Sequence, residues 1–368
     1  MIHVRLEKLT QHMVTNNLDC VAIMPGPNMH YFAELDFHLS ERPILAFFQQ
    51  AGDPALVVPG FEQFKTTASP DPLPWRIFPW DDEEGPAGAF AACCEALGLN
   101  EKRLGVESLA LRFAEYQLVT NNAPNVMITD ADPLITEMRQ IKDEVEIAHM
   151  RAAVEVVETA LTEIIPKIKV GMTEKEVAAE LLVSLFKGGS EALPFDPLVQ
   201  TGETGATPHA SPGDRQIREG DLLIIDIGAR INGYVSDITR TFAVKSLNEK
   251  AQQVYEAVKQ ANAAGRTASK PGIACQDVDR AARQIIDEAD FGEYFIHRTG
   301  HGIGLEGHEP PYMVEGDKNP LEPGMTYTVE PGIYIQGVGG VRIEDDVVIT
   351  ENGAESLTSF NRELTLVG

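Results

Sequence analysis

Four carboxylates in this chain of 368 residues stand where carboxylates are costly. Asp226 follows the apolar run LLII at 222–225, and Asp237 opens the strand-like segment DITRTF. Glu330 interrupts TYTVEPGIYI, and Glu344 interrupts GGVRIEDDVVI. Between the two pairs, GHGIGLEGHE carries His301 and His308 among glycines 300, 302, 304 and 307. A carboxylate beside buried apolar residues is destabilising unless a cation or hydrogen-bond donors neutralise it. Four carboxylates and an imidazole suit two hard or borderline divalent ions, Mn2+ or Co2+ more than zinc in a thiolate site. Two such ions about 3.5–4 Å apart would activate a water as a nucleophile, which is hydrolase chemistry.

The elements around these residues must bring them together. DLLIIDIGARINGYVSDITRTF reads as two strands around Asn232-Gly233, the strongest short hairpin signal. A four-residue loop over 230–233 sets Asp226 opposite Asp237. A two-residue turn sets Asp226 opposite Thr239 and leaves the aspartates diagonal. Either register puts both carboxylates on one face, because strand side chains alternate with period two. Glu330 and Glu344 each fall in a strand pattern with one polar face. The glycines flanking His301 let backbone approach a ligand closely.

Ahead of this region, residues 1–132 alternate helices and strands. A helix over 4–17 leads to the strands CVAIM, PILAFF, ALVVP, RIFPW and LGVE, with helices over 85–97 and 109–121. This pattern predicts an α/β domain with a mixed sheet. Residues 130–133 read as a linker. The second domain, 133–368, opens with a long helix whose apolar stripe runs Ile147, Met150, Val154, Val157, Leu161, Ile164. Thr173 and Glu176 form a capping box for the next helix, to about residue 186. Helices over 250–268 and 276–289 follow, and the remainder is strand and turn. The predicted class is α+β, with the chemistry carried on the sheet.

Composition narrows the function. With 43% hydrophobic and 23% charged residues, the chain is an ordinary globular protein. No apolar run reaches the roughly 18 residues of a membrane span, and the charged N-terminus lacks the core of a secretory signal. Cys20, Cys93, Cys94 and Cys275 have no CxxC spacing, so neither a zinc knuckle nor a disulfide framework is expected. These features imply a cytoplasmic location. A net charge of −26 argues against nucleic acid and anionic membranes as partners.

The order Asp226, Asp237, His301, Glu330, Glu344 resembles the ligand signature of the pita-bread metallopeptidases: methionine aminopeptidase, aminopeptidase P and prolidase. His209 in GATPHASPG, His308, and Arg342 two residues before Glu344 extend the likeness over about residues 200–350. The first ~130 residues resemble the creatinase-type N-terminal domain of aminopeptidase P and prolidase. The resemblance implies a smaller α/β N-terminal domain and a pita-bread catalytic domain holding two divalent ions. It implies that Asp226 chelates one ion, His301 binds the other, Asp237 and Glu344 bridge them, and Glu330 is both ligand and proton acceptor. His209 and His308 would contact the substrate carbonyl and stabilise the tetrahedral intermediate, and Arg342 would orient a ligand carboxylate or the substrate. The implied activity is cleavage of the Xaa-Pro bond of short peptides by a homodimeric dipeptidase loaded with Mn2+, or with Co2+ or Zn2+. Prolidases often carry an arginine four residues after the second histidine to read the substrate carboxylate; here that position is Tyr312. In FHLSERP, His38 and Arg42 resemble a bacterial prolidase loop that reaches the substrate end of a partner's site. The absent arginine leaves aminopeptidase P as the rival. A creatinase-like hydrolase, a lyase or a binding scaffold on the same fold is the more remote one.

Overall fold

A computed structural model describes residues 2–68 and 72–368. The chain divides into two units between Arg139 and Gln140. In the first, strands β1 (Cys20–Ile23), β2 (Leu45–Gln49), β3 (Ala55–Pro59), β4 (Arg76–Trp80), β5 (Arg103–Val106) and β6 (Met127–Asp130) form one sheet. Its order is β4-β3-β2-β1-β5-β6. β2 runs antiparallel to β1 and to β3, while β3–β4, β1–β5 and β5–β6 are parallel, so the sheet is mixed as expected. Helices α1 (Ile2–Thr15), α2 (Pro27–Ala33), α3 (Ala87–Leu97), α4 (Phe113–Asn122) and α5 (Asp132–Gln140) complete the unit. Cys20, Ala22, Phe47 and Val57 pack on Phe90, Cys93 and Leu97 of α3 and Val119 of α4. All four cysteines are free and buried, and burial pushes the Cys20 thiol up to about 12, leaving it a small apolar side chain.

The segment expected as a linker at 130–133 is the end of β6 and the start of α5. Pro133 occupies the first turn, where a missing N–H costs nothing. Leu134, Ile135 and Met138 are buried, Tyr31 Oη donates to Met138 O (3.1 Å), and Arg139 Nη1 donates to Asn28 Oδ1 (2.7 Å). Those contacts tie α5 into the first unit.

The second unit opens with α6 (Glu144–Ile164), started by a capping box of Asp143 and Glu146. The stripe read from the sequence is buried from Met150 onward, with Ile147 partly so. α7 (Glu174–Lys187) begins at the Thr173–Glu176 capping box. Both helices cover one face of a sheet of order β19-β11-β8-β7. Its strands are β7 (Leu198–Thr201), β8 (Leu222–Ile227), β11 (Ile238–Val244) and β19 (Leu366–Val367). The tip of the β8–β11 hairpin is the pair β9 (Arg230–Ile231) and β10 (Tyr234–Val235). A second sheet has the order β13-β12-β14-β17-β18 and is antiparallel throughout. It contains β12 (Gly300–Gly302), β13 (Glu309–Met313), β14 (Thr326–Val329), β17 (Asp345–Thr350) and β18 (Gly353–Ser356). The pair β15 (Gly332–Ile335) and β16 (Gly339–Arg342) stands apart from it. Helices α8 (Glu249–Ala268) and α9 (Cys275–Glu288) pack on the strands: Val254 and Val258 meet Ile333 and Val341, and Cys275 and Val278 meet Tyr327 and Val347. Each fully buried aliphatic side chain contributes about 1.5–3 kcal/mol, so both faces of the strand centre are held firmly. Among the described residues, no helix is long and apolar enough to cross a membrane.

Candidate metal centre

The centre lies on two long hairpins that are interrupted alike. In the first, Thr239 pairs with Asp226 and Tyr234 with Ile231, so the turn has two residues. Asn232 (φ 48°) and Gly233 (φ 80°) both take the positive φ that a type I′ turn demands. Of the two registers open from the sequence, the structure has the diagonal one. The ladder breaks between Ile227 and Arg230 on one strand and between Val235 and Ile238 on the other. Asp237 sits at that break, and Asp226 lies just before it.

The second hairpin corrects an expectation. Glu330 and Glu344 are not inside strands; each falls in a two-residue gap, between β14 and β15 and between β16 and β17. Val329 pairs with Asp345, and Gly332 with Arg342. The same register carried across the gap sets Glu330 opposite Glu344. Like charges directly opposite repel, and a regular ladder would gain nothing from holding them there.

Hydrogen bonds lay the hairpins side by side. The Glu344 N–H donates to Thr239 O (3.1 Å), the Arg342 N–H to Thr241 Oγ1 (3.1 Å), and the Asp237 N–H to Asp346 Oδ2 (3.0 Å). Beneath them Asp345 accepts from Arg240, Arg362, Asn262 and Thr358 at 2.7–2.9 Å. Burial alone would raise the Asp345 carboxyl, but Arg240 and Arg362 hold it well below the usual range. As a result, one ligand atom each from Asp237, His301 and Glu344 lies within 4.8 Å of the others. Glu330 Oε1 is 3.3 Å from His301 Nε2. His301 arrives on β12, where glycine is obligatory on both sides. A Cβ on Gly300 would lie 1.8 Å from Thr328 O, and one on Gly302 would lie 2.4 Å from Pro310 O.

The electrostatics call for a cation. Burial, with Glu344 and Asp226 nearby, pushes the Asp237 carboxyl well above its ordinary range. Burial, with Glu330 and Asp226, does the same to Glu344. Burial lifts Glu330 to about 7 against the pull of Arg342. Asp226 Oδ1 and Asp237 Oδ1 are buried without a hydrogen-bond partner. His301 Nδ1 faces Gly302 O at 3.1 Å, and a carbonyl can only accept, so the proton sits on Nδ1 and Nε2 presents its lone pair to the carboxylates. Burial and His308 also hold this imidazole neutral, its pKa well below normal. Oxygen and imidazole donors, orphaned carboxylate oxygens and a neutral histidine fit bound divalent metal.

Around the ligands, Arg342 is the hub. It donates through Nη2 to Asp226 Oδ2, through Nε to Thr239 Oγ1 (3.1 Å) and through Nη1 to Tyr334 Oη (2.8 Å). Thr239 Oγ1 in turn donates to Glu344 Oε2 at 2.6 Å. Tyr334 and His297 were not singled out from the sequence. Tyr334 Oη lies 3.0 Å from His297 Nε2, while His297 Nδ1 donates to Arg298 O (2.7 Å). Burial lowers the His297 pKa to about 4, so Tyr334 Oη donates to an unprotonated Nε2. His308 faces solvent, its ring tilted 45° against that of His301 with centroids 3.9 Å apart. The desolvation this brings, then the charges of Arg298 and His209, lower the His308 pKa. His209 is exposed on the loop whose Pro208 O accepts from Arg342 and Gln200. Tyr312 carries Arg298 over its ring, Cζ to centroid 4.3 Å.

His38 and Arg42 belong to the first unit, on the segment between α2 and β2. His38 is exposed. Arg42 forks onto Asp82 (2.9 and 2.8 Å) and reaches Glu41 (2.8 Å), so its guanidinium is already engaged.

Comparison with known proteins finds matches to both parts of the chain. Residues 5–141 match the Creatinase/Prolidase N-terminal domain, and residues 148–351 match Metallopeptidase family M24. The chain is 39% identical over 365 residues to the Xaa-Pro dipeptidase of Pyrococcus furiosus, covering 98% of this chain and 99% of that protein. A dipeptidase crystal structure from Pyrococcus horikoshii superposes with a TM-score of 0.92 at 37% identity, covering 99% and 100% of the two chains. The X-Pro aminopeptidase of Thermotoga maritima gives 0.87 at 29% identity, covering 98% and 99%.

Proposed function

The chain belongs to metallopeptidase family M24, and from that premise we propose that it is a Xaa-Pro dipeptidase, cleaving the bond before proline in short peptides. Its two-domain pita-bread architecture is that of the family. The observation that carries the reading is the convergence of Asp237, His301 and Glu344 within 4.8 Å of one another, with Glu330 3.3 Å from His301 and with one oxygen each of Asp226 and Asp237 left unpartnered. In this reading Asp226, Asp237, His301, Glu330 and Glu344 hold two divalent ions, manganese in the working enzyme. Bound there, the ions supply Lewis acidity to the scissile carbonyl and acidify a water.

The chain's own groups do the rest. Glu330 is only partly buried, unlike the other four ligand residues, so it meets the attacking water from the accessible side. It takes the proton released as the water oxygen bonds to the carbonyl carbon, then passes it to the proline nitrogen as the C–N bond breaks. His209 and His308, both solvent-facing, donate to the developing oxyanion. Arg342 fixes Asp226 and, through Thr239, Glu344. The enzyme works in the cytoplasm as a homodimer. An intact ligand set disfavours a metal-independent creatinase-like hydrolase or a scaffold role.

Tyr312 favours a second reading, aminopeptidase P, because it stands where an arginine would read a dipeptide carboxylate. The test strips the metal, restores Mn2+, Co2+ or Zn2+ separately, and compares Xaa-Pro dipeptides with Xaa-Pro-Xaa tripeptides. Dipeptide cleavage that appears only with metal is expected. Cleavage of tripeptides alone overturns the dipeptidase reading, and full activity without metal or in Asp237→Ala overturns the mechanism.

A further inference from the structure

Among the described residues, Arg298 is a cation without an anion: no carboxylate pairs with its guanidinium, in a chain with 56 acidic residues. The side chain is partly buried and lies on the Tyr312 ring. Tyr312 is the direct Cα partner of His301 across β12–β13, so the ring and the ligating imidazole leave the same face of that ladder. Arg298 stands three residues ahead of His301 at the entry to β12, and its charge adds to the lowering of the His301 and His308 pKa values and opposes the rise at Glu330. The other arginine at the centre, Arg342, already spends its donors on Asp226, Thr239, Tyr334 and Pro208.

A guanidinium lying against an aromatic face is held by cation–π attraction. Its in-plane N–H groups can still fork onto a carboxylate in two parallel hydrogen bonds. A dipeptide ends in such a carboxylate one residue past the scissile bond. Without a dedicated cation, that carboxylate would approach a site already lined by four others.

We propose that Arg298, supported by the Tyr312 ring, binds the free C-terminal carboxylate of the substrate and thereby selects dipeptides. The proposal rests on the Xaa-Pro dipeptidase reading. In it, position 312 supplies the platform rather than the charge, and the arginine comes from the strand entry instead.

The test uses Ala-Pro with its scissile carbonyl reduced to CH2, as the free acid and as the C-terminal amide. Calorimetry measures both against Mn2+-loaded wild type, Arg298→Met and Arg298→Lys, and circular dichroism checks that each variant is folded. Wild type is expected to prefer the acid by on the order of 100-fold. Arg298→Met should reduce that preference to about 3-fold or less by weakening the acid alone, and Arg298→Lys should retain an intermediate preference because it keeps the charge but not the fork. The proposal is overturned by a wild type that does not distinguish acid from amide. It is equally overturned by an Arg298→Met variant that keeps the preference, or that weakens both ligands alike. A wild type that prefers the acid through Arg298 yet cleaves no Ala-Pro refutes the proposed activity and leaves the carboxylate site standing.

Discussion

Replacing Glu330 with glutamine is expected to stabilise the metal-free protein at pH 8 and to change nothing at pH 4. Without metal, burial keeps the Glu330 carboxyl protonated up to about pH 7, whereas in the unfolded chain it ionises near its ordinary value of 4.5. Between those two values the folded state binds more protons, so its stability falls as pH rises. The 2.5-unit difference, at about 1.36 kcal/mol per unit, makes the ionised side chain cost about 3 kcal/mol above pH 7. Glutamine removes that cost while keeping the shape. For a unit of about this size each kcal/mol moves Tm by about 2–4 °C, so the variant should melt roughly 6–12 °C higher at pH 8. His301, held neutral by burial, has the opposite dependence, since it stabilises above its unfolded value and less as pH falls. It is present in both proteins and drops out of the difference. The assay is scanning calorimetry of chelator-treated wild type and variant at both pH values, then with Mn2+ added. With metal the order should reverse, because the variant has lost a ligand. An equal Tm shift at pH 4 and pH 8, or none at pH 8, would refute the reasoning.

Arg342→Lys keeps one charge but cannot hold Asp226, Thr239 and Tyr334 together; Mn2+ affinity measured by titration calorimetry should drop about 10- to 100-fold, and unchanged affinity would remove Arg342 from the orienting role. Asp345→Asn leaves Arg240 buried without its carboxylate and should cost about 3–5 kcal/mol in a denaturation midpoint. Because the Asp345 carboxyl is held low, this loss should persist down to pH 4 and shrink only in stronger acid. Gly300→Ala should yield little folded protein, since its Cβ would press on Thr328 O, whereas Gly307→Ala, whose Cβ meets nothing nearer than 3.9 Å, should melt within a degree or two of wild type.

Short-range patterns made part of this legible. The α6 stripe, the Thr173 capping box and the Asn232-Gly233 turn are decided by neighbours a few residues away, and each formed where its pattern stands. Both hairpin registers keep the aspartates on one face, so alternation alone does not choose between them; the positive φ of Asn232 and Gly233 does, by closing the turn in two residues. Glu330 and Glu344 read as strand residues because the chain is extended on both sides of each gap, and only the partner strand reveals the break. α5 was hidden by Pro133, a residue that ends segments as readily as it starts helices. Arg298 and His297 lay in the same HRTGHG run as His301, but nothing in that run says that one rests on Tyr312 and the other accepts from Tyr334. Those contacts join residues brought together by two sheets. The buried Lys142–Glu309 pair (2.6 Å) is hidden for the same reason, its partners standing 167 positions apart.

The two interrupted hairpins separate geometry from length. Every carboxylate pairing is set on the root side of its gap, by Asp226 with Thr239 and Val329 with Asp345. Beyond the gaps, both tips run out to exposed turns at Asn232 and at Gln336–Gly337. Residues inserted at either turn would lengthen an arm without sliding one root strand against the other. The scaffold therefore has two points where foreign sequence could be grafted, each anchored to a rigid base yet free to vary in size. Hairpin tips of a chosen size on unaltered roots are the engineering route that this architecture leaves open.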